Sequence, residues 1–423
     1  MQFLEDVFKI VVSIFTKALL IISVYYLVLS FFGLIKFKNR KQNEPKKSFA
    51  LLVAAHNEEA VIKDIIHSLL RVDYPRELYD IFVIADNCTD NTAAIARGNG
   101  AIVCERVNKE KRGKGYALEW MFDKIFKMEK KYDAVVIFDA DNLVSKQFLK
   151  EMNNKLCDGY EVVQGFLDSK NPVDTWITGS YSIAFWTSNR QFQLARSNLK
   201  LSSQLGGTGF CISTDTLKEL GWGATCLTED LEFTCKLVLN GKKVGWAHDA
   251  VIYDEKPLTL SQSWWQRKRW MQGFADVSSR YFWKLLKRAV TKFDFVALDC
   301  AIYSIQPIII IIAGIGMILN GIQQAAGAVS LLSNFNLNIF NNLTLIKVGI
   351  IFGGIMQFIY APFVLILEKK FSFKVFLYYL IYPIYSITWM PISILGIIDK
   401  DKKEWNHTLH TRSVNISELE KAN

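Results

Sequence analysis

The stretch AVVIFDAD, Ala134 to Asp141, runs from five apolar residues straight into two aspartates one residue apart. A short apolar run bounded by polar residues reads as a strand buried on both faces. Upstream the same pattern repeats. FALLVAA (Phe49 to Ala55), DIFVIAD (Asp80 to Asp86) and AIVCERV (Ala101 to Val107) read as strands, and 58–70, 89–99 and 115–130 as the helices between them. Strands alternating with helices predict an α/β domain with a parallel sheet and right-handed crossovers. In such sheets ligands bind beyond the carboxyl ends of the strands. Asp86 ends the second predicted strand and Asp139 and Asp141 the fourth, so all three fall on that edge.

Outside this domain the chain is strongly apolar. Of its 423 residues 51% are hydrophobic. Four windows, 7–35, 295–319, 348–367 and 375–398, approach the roughly 20 apolar residues needed to cross a bilayer. The first is too long for a signal-peptide core. The net charge is +9, and the cations cluster beside these windows: KFKNRK at 36–41, KK at 369–370 and DKDKK at 399–403. That is the positive-inside pattern, so nucleic acid is not expected as a partner, and the globular domain is placed in the cytoplasm with the uncharged loop 321–346 outside. Two prolines, Pro383 and Pro391, break the fourth window and both its ends are cationic. It is therefore expected to be re-entrant or interfacial, returning the C-terminus to the cytoplasm. The resulting division is 1–45 transmembrane and juxtamembrane, 46–257 globular, 258–293 amphipathic interface helices, 294–400 transmembrane or re-entrant helices, and 401–423 tail. Seven cysteines without a CxxC pair suggest reduced thiols and no metal cluster.

Carboxylates spaced as Asp139 and Asp141 suit Mg²⁺ or Mn²⁺ bridging phosphate oxygens. There is no P-loop signature and no GxGxxG in a strand–helix context. RGKGYAL (Arg112 to Leu118) sets Lys114 in a glycine-flanked loop before a helix, where it meets a phosphate or only solvent. GGTG (Gly206 to Gly209) reads as a flexible turn. Thr228, Glu229 and Asp230 open a predicted helix whose Leu231, Cys235 and Leu239 are apolar at helical spacing, a place where Thr and Asp are ordinarily caps. SWWQRKRW (Ser263 to Trp270) mixes cations with Trp264, Trp265 and Trp270, which suits a membrane interface as well as a sugar face.

Taken in order, VAAHNEE (Val53 to Glu59), IADNCTD (Ile84 to Asp90), RGKGYAL, the DAD at 139–141, the TED at 228–230 and QRKRW (Gln266 to Trp270) resemble the family 2 glycosyltransferases of the GT-A fold. The full set is similar to membrane-embedded synthases of the cellulose, β-glucan and hyaluronan type. The resemblance covers about residues 49–274, with Ala54 where the family often has Pro. It implies that His56, Glu58 and Asp86 line a uridine pocket and that Lys114 approaches the diphosphate. Asp139 and Asp141 would hold the donor and a Mg²⁺ or Mn²⁺ ion. Asp230, beside Glu229, would be the general base, and Gln266 and Arg269 would meet the diphosphate. Gly209, Thr228, Trp265 and Trp270 would meet the acceptor. In the tail KEWNHTLHTR (Lys403 to Arg412), Trp405, Thr408 and His410 would close over the nucleotide.

One base with no second carboxylate nucleophile implies single displacement with inversion at the anomeric carbon. Arg269 suits the leaving diphosphate because its fork matches phosphate oxygens. The expected protein is thus a multi-pass plasma-membrane enzyme with a cytoplasmic catalytic domain. It would polymerise a β-glycan from a UDP-sugar, UDP-glucose being favoured, onto a growing polysaccharide acceptor and translocate it. A hyaluronan or poly-N-acetylglucosamine type synthase and a one-sugar glycolipid transferase remain open, as does a catalytically inactive scaffold.

Overall fold

A computed structural model describes residues 17, 20–37, 42–223, 226–328, 358–402, 412, 414, 416, 418 and 419, with backbone only at 317 and 319–328. Trp405, Thr408 and His410 lie outside these residues, as do most of 7–19, the 329–346 part of the uncharged loop and 348–357 of the third apolar window.

The strands are β1 (Phe49–Ala55), β2 (Tyr79–Asp86), β3 (Ile102–Arg106), β4 (Ala134–Asp139), β5 (Leu143–Val144), β6 (Val162–Ser169), β7 (Phe210–Ser213) and β8 (Val244–Asp254). They form one sheet in the order β3-β2-β1-β4-β7-β6-β8-β5. The first four run parallel, as the alternating pattern predicts. β7 runs antiparallel between β4 and β6, so the complete sheet is mixed.

After α1 (Leu20–Phe32), the helices packed on the sheet are α2 (Ile62–Leu70), α3 (Thr92–Gly98), α4 (Lys114–Lys127), α5 (Phe148–Cys157), α6 (Trp176–Ser188), α7 (Ala195–Asn198), α8 (Thr214–Leu220) and α9 (Glu229–Leu239). Alternate residues of each strand enter opposite layers, as the period of two requires. Phe49, Leu51 and Val53 of β1 join Ile65, Ile66 and Leu69 of α2. Ala50 and Leu52 join Leu118, Met121 and Phe122 of α4. Two helices start three or four residues later than their sequence pattern. Glu58 is held in a turn whose carbonyl accepts from the Val61 and Ile62 amides, and Asp90 accepts from the backbone and hydroxyl of Thr92 ahead of α3.

Six further helices follow among the described residues: α10 (Leu260–Lys292), α11 (Phe295–Ser304), α12 (Gln306–Ala328), α13 (Phe358–Leu367), and α14 (Phe373–Ile387) running on into α15 (Trp389–Ile398). The interface region is a single helix of 33 residues, about 50 Å long at 1.5 Å per residue. Thr259 starts it with a capping box shared with Gln262. It packs against α9, α11 and α15.

The apolar windows divide differently from expectation. The 295–319 window, expected to span, bends by 63° between Phe295–Ser304 and Gln306–Gly316. Phe373–Ile398, expected to be re-entrant or interfacial, is the one helix among the described residues long and apolar enough to cross a membrane. Pro383 is accommodated inside it. Its ends are nonetheless fastened to the rest of the protein. Lys370 pairs with Asp168 of β6 at 2.9 Å, and Asp399 pairs with Lys268 of α10. Between them the Tyr378 hydroxyl donates to the Val173 carbonyl at 3.3 Å. The helix lies along α6 and α10, and Leu380, Ile384, Ile387 and Ile398 point away at 58–69% exposure.

Candidate active site

The carboxyl ends of β1, β2 and β4 open into a cavity of about 2360 Å³ that continues between α10, α12, α14 and α15. Of the sequence-predicted site residues, His56, Glu58, Asp86, Lys114, Asp139, Asp141, Thr228, Glu229, Asp230, Gln266, Arg269 and Trp270 all line it.

At the nucleotide end, Asp86 is buried and paired with Arg106 at 2.5 Å. The two are direct neighbours across β2 and β3, so the parallel register places the cation beside the acid. His56 Nδ1 lies 2.7 Å from the Asp86 carbonyl. A carbonyl only accepts, so Nδ1 is the donor in this contact. The Glu58 amide donates to the Thr92 hydroxyl at 2.8 Å, which fixes the turn beside the pocket.

In the middle, Gly113 at φ 109° delivers the chain into α4. Lys114, the first residue of that helix, reaches Asp139 and donates to the Gly207 carbonyl at 2.6 Å. Burial pulls the ammonium pKa down, but the charges of Asp139 and Glu229 outweigh it and the net shift is upward. The Asp139 amide donates to Asn142 and Thr208, each at 3.1 Å. Asp141 is buried and accepts from the Glu255 amide at 2.9 Å and from Asn142 at 3.2 Å.

Thr228 precedes α9 but its side chain caps nothing. It sits against α10, where a Cβ on Gly273 would come within 2.4 Å of it. The cap reading is therefore corrected for Thr228, which is fixed by the close approach of α10 that only glycine at 273 allows. The Leu231 amide donates to Asp230 at 2.8 Å. Burial, and then the neighbouring Glu229 charge, push the Asp230 carboxyl up to about 7. Burial also raises Glu229, opposed by Lys114.

The QRKRW residues separate by turn of the helix. The Tyr181 hydroxyl donates to Gln266 at 2.8 Å. The Arg269 guanidinium lines the cavity and makes no hydrogen bond or ion pair among the described residues. Trp270 packs with Tyr181, Phe185 and, nearly parallel at 6.4 Å, Trp389. Arg267 is fully buried, its guanidinium 4.2 Å from the Tyr385 ring and 4.9 Å from Trp389. Lys268, which reads as a juxtamembrane cation, is paired to Asp399.

Two predicted acceptor residues are not at the cavity. Trp265 is 55% exposed on α10 beside Lys268, one residue round the helix from the buried face. Gly209 is structural: at φ 63° it lies so close to Ile252 that a Cβ would meet Cδ1 at 2.1 Å. Arg106, Asp254, Glu255 and Trp389 escaped the sequence reading. All but Arg106 line the cavity. The signal for Arg106 was available, since it ends the strand after the one ended by Asp86. The others depend on β8 and α15 folding back. The tail also reaches this edge: the Arg412 amide donates to Glu255 at 3.2 Å, and Ile416 packs with Leu143 and Tyr253.

The donor set fits a Mg²⁺ or Mn²⁺ ion. Asp139 and Asp141 are hard oxygen ligands at a strand end, although Lys114 occupies the Asp139 carboxylate. No group of three His, Cys, Asp or Glu side chains converges among the described residues. Such ions commonly take one or two carboxylates and complete their shell with substrate phosphates and water.

Residues 45–273 match the family described as glycosyltransferase like family 2. Among curated proteins, the beta-monoglucosyldiacylglycerol synthase of Synechocystis sp. is 28% identical over 252 residues, 54% of this chain and 48% of its own length. The poly-beta-1,6-N-acetyl-D-glucosamine synthase of Staphylococcus epidermidis is 27% identical over 287 residues, 63% of this chain and 64% of its own. The matches thus span about half to two-thirds of these relatives. Among solved structures, the mannosyltransferase PcManGT of Pyrobaculum calidifontis in complex with GDP-Man and Mn²⁺ shares the fold, at a TM-score of 0.59 and 17% identity, over 93% of this chain and 99% of that one. The family match covers more than half of the chain, and the chain belongs to the family 2-like glycosyltransferases.

Proposed function

We propose that the protein transfers a hexose from a UDP-sugar, with inversion, onto a growing β-glycan and passes the product along the helix-lined part of the cavity. One observation carries this reading: a single cavity runs from the Asp86 end, past Asp139 and Asp230, to Trp270, Trp389 and the helices α12 and α14. Donor, base and exit path then share one space.

In this reading Asp86 and the Nε2 of His56 recognise the base at the inner end. Asp139 and Asp141 would hold a divalent cation, which when bound neutralises charge on the diphosphate. Lys114 moves from Asp139 to the phosphate oxygens, and Arg269 meets the leaving group with its two-pronged donor set. Asp230 accepts the proton of the attacking hydroxyl. Its raised pKa keeps the carboxylate basic enough to take that proton near neutral pH, where a useful fraction is still ionised. Trp270 and Trp389 present rings to the acceptor sugar.

The membrane organisation belongs to the same proposal. The catalytic domain lies on the cytoplasmic side of the plasma membrane, and 1–45, 294–400 and the interface helix associate with the bilayer. The α14–α15 helix lies in the interface plane, because its ends are fastened to β6 and to α10 while its aliphatic stripe stays exposed among the described residues. The tail then stays on the side of the active site.

The test is incubation of the full chain, in membranes, with each UDP-sugar and Mg²⁺ or Mn²⁺, followed by product sizing and linkage-specific hydrolases. Long polymer from UDP-glucose supports the reading. A product limited to one sugar on a lipid overturns processivity but keeps the transfer chemistry.

A further inference from the structure

The corner between α10 and α11 carries two separate costs. Phe293 closes α10 in the left-handed region, at φ 50° and ψ 40°. That position at a helix end normally goes to glycine, because a Cβ there is strained. The same ring is 88% exposed. Around it Trp283, Val290 and Phe295 are 72%, 67% and 74% exposed. The corner is nonetheless rigid. Arg288 pairs with Asp294 at 2.7 Å and donates to the Leu239 carbonyl at 3.0 Å, and Asp294 caps α11 through the amides of Val296 and Ala297. A strained, exposed aromatic held in place on both sides is not a fraying end.

The cations of the same stretch complete the pattern. Lys284, Lys287 and Lys292 are exposed and make no ion pair among the described residues. Trp283, Lys287 and Val290 follow one another at i, i+4 and i+7, so rings and cations share one exposed face. Tryptophan and lysine together on a helix face suit the boundary between headgroups and acyl chains. The corner leads into α11 and, beyond its 63° bend, into α12, the helix with the isoleucine run IIIII at 308–312.

We propose that this corner is a docking surface for an anionic membrane leaflet. Phe293, Phe295, Trp283 and Val290 enter the acyl boundary, and Lys284, Lys287 and Lys292 meet lipid phosphates. It sits at the far end of α10 from the QRKRW motif. Its contact with anionic lipid therefore sets the depth and tilt of the long helix that carries Gln266, Arg269 and Trp270. The proposal rests on the membrane association inferred above.

The test uses the full chain in bilayers of mixed phosphatidylcholine and phosphatidylglycerol, with spin-labelled versions of each lipid as probes. The wild type is expected to immobilise phosphatidylglycerol in preference to phosphatidylcholine. A cation near an anionic surface contributes about 1 kcal/mol, or roughly fivefold. The triple variant Lys284→Gln, Lys287→Gln, Lys292→Gln should therefore reduce the preference by at least that factor. Phe293→Gly should raise the melting temperature in detergent by relieving the backbone, while lowering the number of lipids immobilised in bilayers. Equal immobilisation of both lipids by the wild type, or an unchanged preference in the triple variant, overturns the proposal. So does a second copy of the chain crosslinked across Trp283 and Phe293. Immobilisation of neither lipid instead removes the membrane association on which it rests.

Discussion

The two ends of the cavity are built on different principles. The end proposed to take the donor is held by charge: Asp86 with Arg106, Lys114 with Asp139, and Asp141 under the Glu255 amide. The end proposed to take the acceptor is held by rings: Tyr181, Phe185, Trp270, Trp389 and Tyr385 pack together, the last two against the buried Arg267. A charged pocket can exchange partners when a charged ligand enters, since Lys114 can leave one oxygen for another. A ring cluster has no such exchange available and keeps its shape. The contrast is sharpest within QRKRW. Arg267 and Arg269 are two residues apart, yet one is wedged between Tyr385 and Trp389 and the other lines the cavity with no hydrogen bond or ion pair among the described residues. One is held as a structural cation, and the other is the one proposed to meet the leaving diphosphate.

The comparison can be broken at several points. The largest effect is expected at Asp230, where Asp230→Asn removes the only base assigned. Turnover should fall by about 10²- to 10⁴-fold, with UDP binding by calorimetry unchanged; retained turnover would assign the base elsewhere. The two arginines should then separate by assay. Arg267→Ala leaves a cavity between two rings and removes their cation contacts, so a loss of about 3 kcal/mol in stability is expected in thermal unfolding. Arg269→Lys should leave unfolding unchanged and lower kcat by roughly tenfold, through loss of the bidentate fork. If the assays respond the other way round, the structural and chemical roles are exchanged.

A smaller effect is expected with pH. As the proposed base, Asp230 must be ionised to accept a proton, and burial raises its pKa to about 7. Activity should therefore rise from pH 6 to pH 8, with its midpoint near that value. Glu229→Gln removes the like charge and should move the midpoint to lower pH; a midpoint that stays put would mean another group controls it. The smallest effect is at Trp265. Its exposure predicts that Trp265→Ala changes stability by no more than about 0.5 kcal/mol and leaves turnover intact. Trp270→Ala should instead raise the KM for acceptor.

Much of the donor end was legible in the sequence. Each strand there is a short apolar run, each helix follows within a few residues, and the acids stand where the runs stop. Those features come from neighbours along the chain. The second half of the sheet was not legible in the same way. β6, β7 and β8 are separated by helices and reversals, and their order depends on which strand edges remain free once β1 to β4 have paired. Trp265 shows the limit at single-residue scale. The motif placed it near the acceptor, but one step along a helix turns a side chain by about 100°, and the neighbouring face was taken by α15.

By itself the sequence determined the parallel half-sheet, the edge on which Asp86, Asp139 and Asp141 gather, and the apolar character of the flanking segments. These follow from periodicity and from where polar residues interrupt it. Only the tertiary structure decided which of two arginines is buried, that Thr228 is gripped by α10 rather than capping α9, and that the longest apolar helix is fastened at one end to β6 and at the other to α10. Those outcomes depend on contacts between residues distant in sequence, Thr228 with Gly273 and, more than a hundred positions apart, Lys268 with Asp399 and Arg267 with Thr388. Local pattern carries no information about such partners until the chain has closed on itself.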